Sequence, residues 1–98
     1  MKKITQEELD QVLQQHKLWL GSGGIQGCRA NLSSFELQEA NLRGADLSYT
    51  DLRGTQFGTN IRDCYNFNDA QFTPEALPWL ILHHRWPEFK DTVQIDPE

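Results

Sequence analysis

The sequence predicts a small repeat protein, a single domain over residues 1–98 with a core of five-residue units, an amphipathic helix before it and an apolar segment after it. Three observations carry that expectation. Leu or Phe returns at every fifth position from Leu32 through Leu37, Leu42, Leu47 and Leu52 to Phe57. This period matches neither the 3.6 residues of a helical turn nor the alternation of a strand. A segment with the start signals of a helix precedes the run, and the segment "ALPWLILHHRW", residues 76–86, follows it and is too apolar for a solvated end. With 98 residues the chain can form a modest core. A formal net charge of −5 disfavours direct nucleic-acid binding and suits a basic partner or plain solubility.

The N-terminal element occupies residues 1–24. Thr5 is placed to cap the backbone, Glu8 three places on to close a capping box, and Ile4 to staple onto Leu9. Leu9, Val12, Leu13, His16, Trp19 and Leu20 follow at helical spacing, opposite a polar face of Glu7, Asp10, Gln14 and Lys17. The helix is expected from about Gln6 to Leu20, ended by "GSGG", residues 21–24, since glycine adopts the left-handed conformations a helix terminus needs.

Counted from Leu32, the unit centres fall at 32, 37, 42, 47, 52, 57, 62, 67 and 72, and only Arg62 is neither Leu nor Phe. Leu and Phe fill about one position in six, so chance does not produce this register. Two places before most centres sits a small residue: Ala30, Ala40, Ala45, Thr50, Thr55 or Ala70. A polar residue stands between the two, as at Asn31, Asn41, Asp46, Asp51, Asn66 and Gln71.

That pattern, strictest in "ANLRGADLSYTDLRG" at residues 40–54, resembles the pentapeptide-repeat family over residues 30–74. The resemblance implies an all-β core, a right-handed quadrilateral β-helix of about two coils within residues 25–74. Four units would close each coil, and coils would stack at the strand spacing of about 4.8 Å. The ladders would then be Leu32, Leu52 and Phe72; Leu37 and Phe57; Leu42 and Arg62; Leu47 and Phe67.

Both ends of such an array need covers, because terminal units cannot bury their own apolar faces. The helix suits one end and residues 75–98 the other. Thr73 and Pro74 suggest a helix start, while Pro78 limits that helix to a turn or begins a second one. Trp79, Leu80, Ile81, Leu82, Trp86 and Phe89 offer more apolar surface than one narrow end requires, so the tail is either an intramolecular cap or a homodimer or partner contact, with Trp79, Leu82, Trp86 and Phe89 the candidate contact residues. An unpaired guanidinium at the Arg62 centre would be costly to bury. A bulged corner over residues 60–64, turning Ile61 in and Arg62 out, avoids that cost; a functional arginine is the other reading.

No catalytic constellation emerges, and neither an enzymatic activity, a metal nor a cofactor is expected. His16 lies in the apolar stripe, where a hydrogen-bonded core histidine is expected. His83 and His84 are adjacent and lack the spacing of a helical zinc pair. Cys28 and Cys64 lack metal-finger spacing and are expected as free thiols in a reducing compartment. No apolar run is long enough to span a membrane, and Met1 to Asp10 is charged where a secretory signal would turn apolar, so a soluble, cytoplasmic protein is expected, and the family resemblance implies a bacterial host.

Residues 1–20 are balanced in charge, residues 27–74 carry four bases and six acids, and residues 75–98 carry two and five. The acidity thus lies in the repeat and the tail. Glu36, Glu39, Asp46, Asp51 and Asp69 form the candidate partner-binding surface. The resemblance implies a role for them: small acidic members of the family are similar to phage-type inhibitors. It points to a DNA mimic of the anti-CRISPR kind that blocks the basic DNA-binding groove of a type I CRISPR surveillance complex. A topoisomerase (gyrase) binder, disfavoured by length, and a generic protein–protein interaction module are the alternatives.

Overall fold

A computed structural model of the chain describes residues 2–97. Its longest element is α1, Gln6–Gly21. The expected capping box is formed: the Glu8 N–H donates to Thr5 Oγ1 at 3.1 Å, and the Thr5 N–H donates to Glu8 Oε1 at 2.9 Å. Leu9 and His16 are buried, with Ile4, Val12 and Leu13 half-buried against the same core. After α1 the chain turns back along it so closely that a Cβ on Gly27 would stand 2.3 Å from the Gln15 carbonyl oxygen. With φ at +74° as well, only glycine suits this position.

The five-residue period is resolved into tight turns. In most units the N–H three residues after the centre donates to the centre's carbonyl, as in Ala45 to Leu42 at 3.0 Å and Thr50 to Leu47 at 3.1 Å. Five turns place the residue two after the centre in the left-handed region: Ser34, Gly44, Tyr49, Gly54 and Asp69. Glycine takes that conformation freely at 44 and 54, whereas the other three bear a cost of about 1 kcal/mol. The recurring Asp or Asn before the centre has a local duty. The Oδ1 atoms of Asn31, Asn41, Asp46, Asp51 and Asn66 each accept the N–H two residues on, at 2.9–3.1 Å, which fixes the entry to the turn.

The centres Leu32, Leu37, Leu42, Leu47, Leu52, Phe57, Phe67 and Phe72 all point inward and are buried. At position 62 the pattern shifts by one residue. Ile61 is buried and Arg62 exposed, on a 3-10 turn over Thr59–Asp63. Asn60 secures this corner: its Nδ2 donates to the carbonyls of Leu37 and Ala40 at 2.6 and 2.8 Å.

The expected all-β core, a right-handed quadrilateral β-helix, is overturned. Among the described residues, regular strand is confined to β1, Gln71–Phe72, and β2, Gln94–Ile95, which form one open, two-stranded parallel sheet. Elsewhere, residues twenty apart meet only as isolated parallel bridges, such as Asn31 with Asp51 and Asp46 with Asn66. The physical reason lies in the unit length. A turn consumes most of each five-residue unit and leaves too few consecutive extended residues for a strand ladder to propagate. The result is a small mixed fold of helix, turns and loops.

The tail folds as short pieces: a 3-10 turn over Pro74–Ala76, then α2, Leu77–Leu80, α3, Trp86–Phe89, and finally β2. As the prolines foretell, no long helix forms. Leu80 and Phe89 are buried, and Trp79 and Trp86 are half-buried against the core.

Candidate interaction surface

Side chains with chemical potential divide into those the fold consumes and those it leaves outside. His16, on the inner face of α1, places Nε2 2.7 Å from the Ser48 carbonyl oxygen and accepts the Ala30 N–H on Nδ1 at 2.9 Å. His83, in the link from α2 to α3, places Nε2 2.8 Å from the Cys64 carbonyl oxygen and accepts the Arg85 N–H on Nδ1 at 3.1 Å. Burial holds both imidazoles below their ordinary range. Cys64 is buried and its thiol is pushed up to about 12, which suppresses the reactive thiolate. Cys28 is an exposed free thiol. Among the described residues, no group of three or more His, Cys, Asp or Glu is placed to hold a metal ion, and no buried side-chain nitrogen or oxygen lacks a hydrogen-bond partner.

The five acidic candidates are held in different ways. Asp51 is paired with Arg53, Oδ2 to Nη2 at 2.8 Å, and hydrogen bonds from that arginine lower its pKa below the ordinary carboxylate range. Arg53 also reaches Asp96 at 3.2 Å, tying the end of the tail to the repeat. Asp46 Oδ1 accepts both the N–H and the hydroxyl of Ser48. Asp69 sits in a left-handed turn, its N–H directed at Thr92. Glu36 and Glu39 alone of the five line a common cleft, of about 410 Å³, with Lys3 and Gln6 at the start of α1.

The regular β-helix along which the DNA-mimic expectation arrayed its carboxylates is not formed, and of the five acids Asp51 is paired with Arg53 while Asp46 and Asp51 each brace their own turn. Nor do the comparisons below support a phage-type, anti-CRISPR assignment.

The four apolar candidates separate as sharply. Phe89 is buried, 4.4 Å from Phe67 between ring centroids, and Trp79 and Trp86 are half-buried, while Leu82 is exposed beside the equally exposed Ile81. Leu82 also shares a cleft of about 300 Å³ with Thr59, Arg62, Asp63 and His84. The sequence counted Ile81 in the excess apolar surface of the tail but not among the contact candidates, because an apolar run in a cap does not reveal which member faces out.

No described helix is long and apolar enough to cross a membrane. Among known proteins, no curated protein and no solved structure matches the chain. The family model described as pentapeptide repeats (8 copies) matches residues 29–59, and the match ends where the corner at 59–63 breaks the pattern. The chain therefore carries a pentapeptide-repeat domain over residues 29–59.

Proposed function

We propose that the chain is a non-catalytic protein-binding module, with its main contact on the face formed by the Thr59–Asp63 turn and the link between α2 and α3. One observation carries this reading. Ile81 and Leu82 are 58% and 46% exposed in a tail that buries or half-buries its other large apolar residues. A tail serving only as a cover would gain by turning them inward, at roughly 1.5–3 kcal/mol for each fully buried side chain. Arg62 and His84 flank Leu82, so the fitting partner presents an apolar side chain beside a carboxylate.

A second contact, with a basic partner, is supported by Glu36 and Glu39, which share one cleft and enter no salt bridge among the described residues. Affinity capture from the native cell extract, with the parent chain and two variants, tests both contacts. Ile81→Ser combined with Leu82→Ser should keep the fold and lose the captured partner. Glu36→Lys combined with Glu39→Lys should abolish only the salt-sensitive part of the capture. If both variants retain the same partners as the parent, neither contact exists.

A further inference from the structure

His16 and His83 stand at the two ends of the repeat, and each joins an end segment to the rest of the fold. His16 reaches from α1 to the backbone at Ala30 and Ser48, and His83 reaches from the tail to Cys64. Both use both ring nitrogens. An amide N–H only donates, so the Nδ1 that faces Ala30, or Arg85 in the tail, carries no proton. A carbonyl only accepts, so the single ring proton lies on Nε2 and points at Ser48 or Cys64. The Thr50 hydroxyl also meets His16 Nε2, at 3.2 Å.

We propose that His16 and His83 are a matched pair of proton-operated latches, each seating its end segment most firmly while the ring is neutral, His16 through its bond to Ala30 across the contact and His83 through its bond to Arg85, which shapes the link from α2 to α3, so that mild acid loosens both α1 and the tail. A second proton has nowhere to go but Nδ1. There it confronts a backbone N–H, so a hydrogen bond is lost, two donors face each other, and a charge enters a buried site.

The Nε2 bonds to the Ser48 and Cys64 carbonyls persist in the charged rings and favour them, but burial outweighs them. Asp46 and Arg29 face His16 with opposite effects, and Asp46 is already engaged by Ser48. From α1 itself, Trp19 stacks on the ring at 5.8 Å. Around His83 stand His84, stacked at 4.7 Å, Arg85 and Glu88 from the tail, and the Cys64 carbonyl oxygen from the repeat side. The Phe67 and Phe89 rings close the site. At both histidines burial is the largest influence and lowers the pKa. A folded-state value below the unfolded value of about 6.5 means that the stabilisation is complete above that pH and is lost as pH falls through it towards the folded value. Asp51, Glu8 and Glu88 are also held low, but as carboxylates they act only below about 4.5, so the interval from pH 7 to 5 isolates the histidines.

The test combines urea unfolding of the full chain between pH 7.5 and 5 with nitrogen-15 spectra of the imidazoles and amide exchange. Both rings should be Nε2–H tautomers at pH 7.5. The unfolding constant should rise by up to about tenfold per histidine for each pH unit below about 6.5. Amides of α1 and of residues 77–95 should lose protection before those of residues 31–72. His16→Gln and His83→Gln should each remove their own share of the pH dependence; if a variant fails to fold, the imidazole titration of the parent decides. Rings that titrate at or above 6.5 in the folded chain, or end segments still protected at pH 5, overturn the proposal.

Discussion

The start of the repeat is covered by a single sixteen-residue helix, its finish by two four-residue helices and a two-residue strand. Local bonds organise α1, which carries a complete capping box within its own first turn. Neither short tail helix has a side-chain cap. The tail is held by partners far away in sequence: the Gln94 N–H donates to the Ala70 carbonyl, the Asp96 N–H to the Phe72 carbonyl, and Arg85 Nη1 to the Tyr65 carbonyl at 2.6 Å. Segments this short do not hold helical structure alone. The tail is thus shaped by the repeat it covers, whereas α1 brings much of its order with it.

The largest effect should come from removing the tail's central anchor. Phe89 is fully buried, packs on Phe67 and lies beneath the Arg85 guanidinium, 4.8 Å from the ring centroid. Phe89→Ala should cost about 3–5 kcal/mol in denaturant unfolding. Exchange protection should vanish over residues 77–95 while α1 remains protected. Equal loss at both ends would show that the two covers fold as one unit and would break the comparison.

A smaller effect, confined to the other end, should follow Thr5→Ala. It removes the oxygen that accepts the Glu8 N–H and should cost about 1 kcal/mol, with fraying limited to the first turn of α1. The Glu8 carboxyl is held below its ordinary range first by the Thr5 backbone N–H, which alanine keeps, and second by the Thr5 side chain, so the variant should return the Glu8 titration only part of the way towards its usual value, measurable by NMR. A cost spread evenly along the chain would mean that α1 depends on the repeat as fully as the tail does.

This contrast between local and distant bonding also governs what the sequence discloses. The bounds and cap of α1 were legible because Thr5, Glu8 and the stripe from Leu9 signal within a few residues of one another. The inward centres were legible for the same reason, since each repeats a short local pattern. The strand content was not: the five-residue period marks which side chains are buried, but not that the turn between them leaves single bridges instead of continuous ladders. In the tail, the prolines announced short helices, yet the pairing of β2 with β1 and the reach of His83 to Cys64 are long-range outcomes with no local signature. The candidate surface was half legible. Leu82 was named for its apolarity, but its exposure, and that of Ile81, depends on how α2 settles against the Thr59–Asp63 turn.

The smallest effect should come from the residue that breaks the repeat. Arg62 occupies a centre by count, but the corner over Thr59–Asp63 gives the buried place to Ile61 and leaves the guanidinium exposed. It forms no salt bridge among the described residues, and the corner is secured by Asn60, not by Arg62. Arg62→Leu should therefore change unfolding stability by no more than about 0.5 kcal/mol, as for other surface substitutions. Partner binding should respond differently. Arg62 borders the cleft that holds Leu82 and His84, so its loss should weaken capture of a carboxylate-bearing partner while the melting curve stays in place. A stability loss well above 1 kcal/mol would instead place the guanidinium in the packing of the corner. The break in the repeat would then serve the fold alone, not the surface.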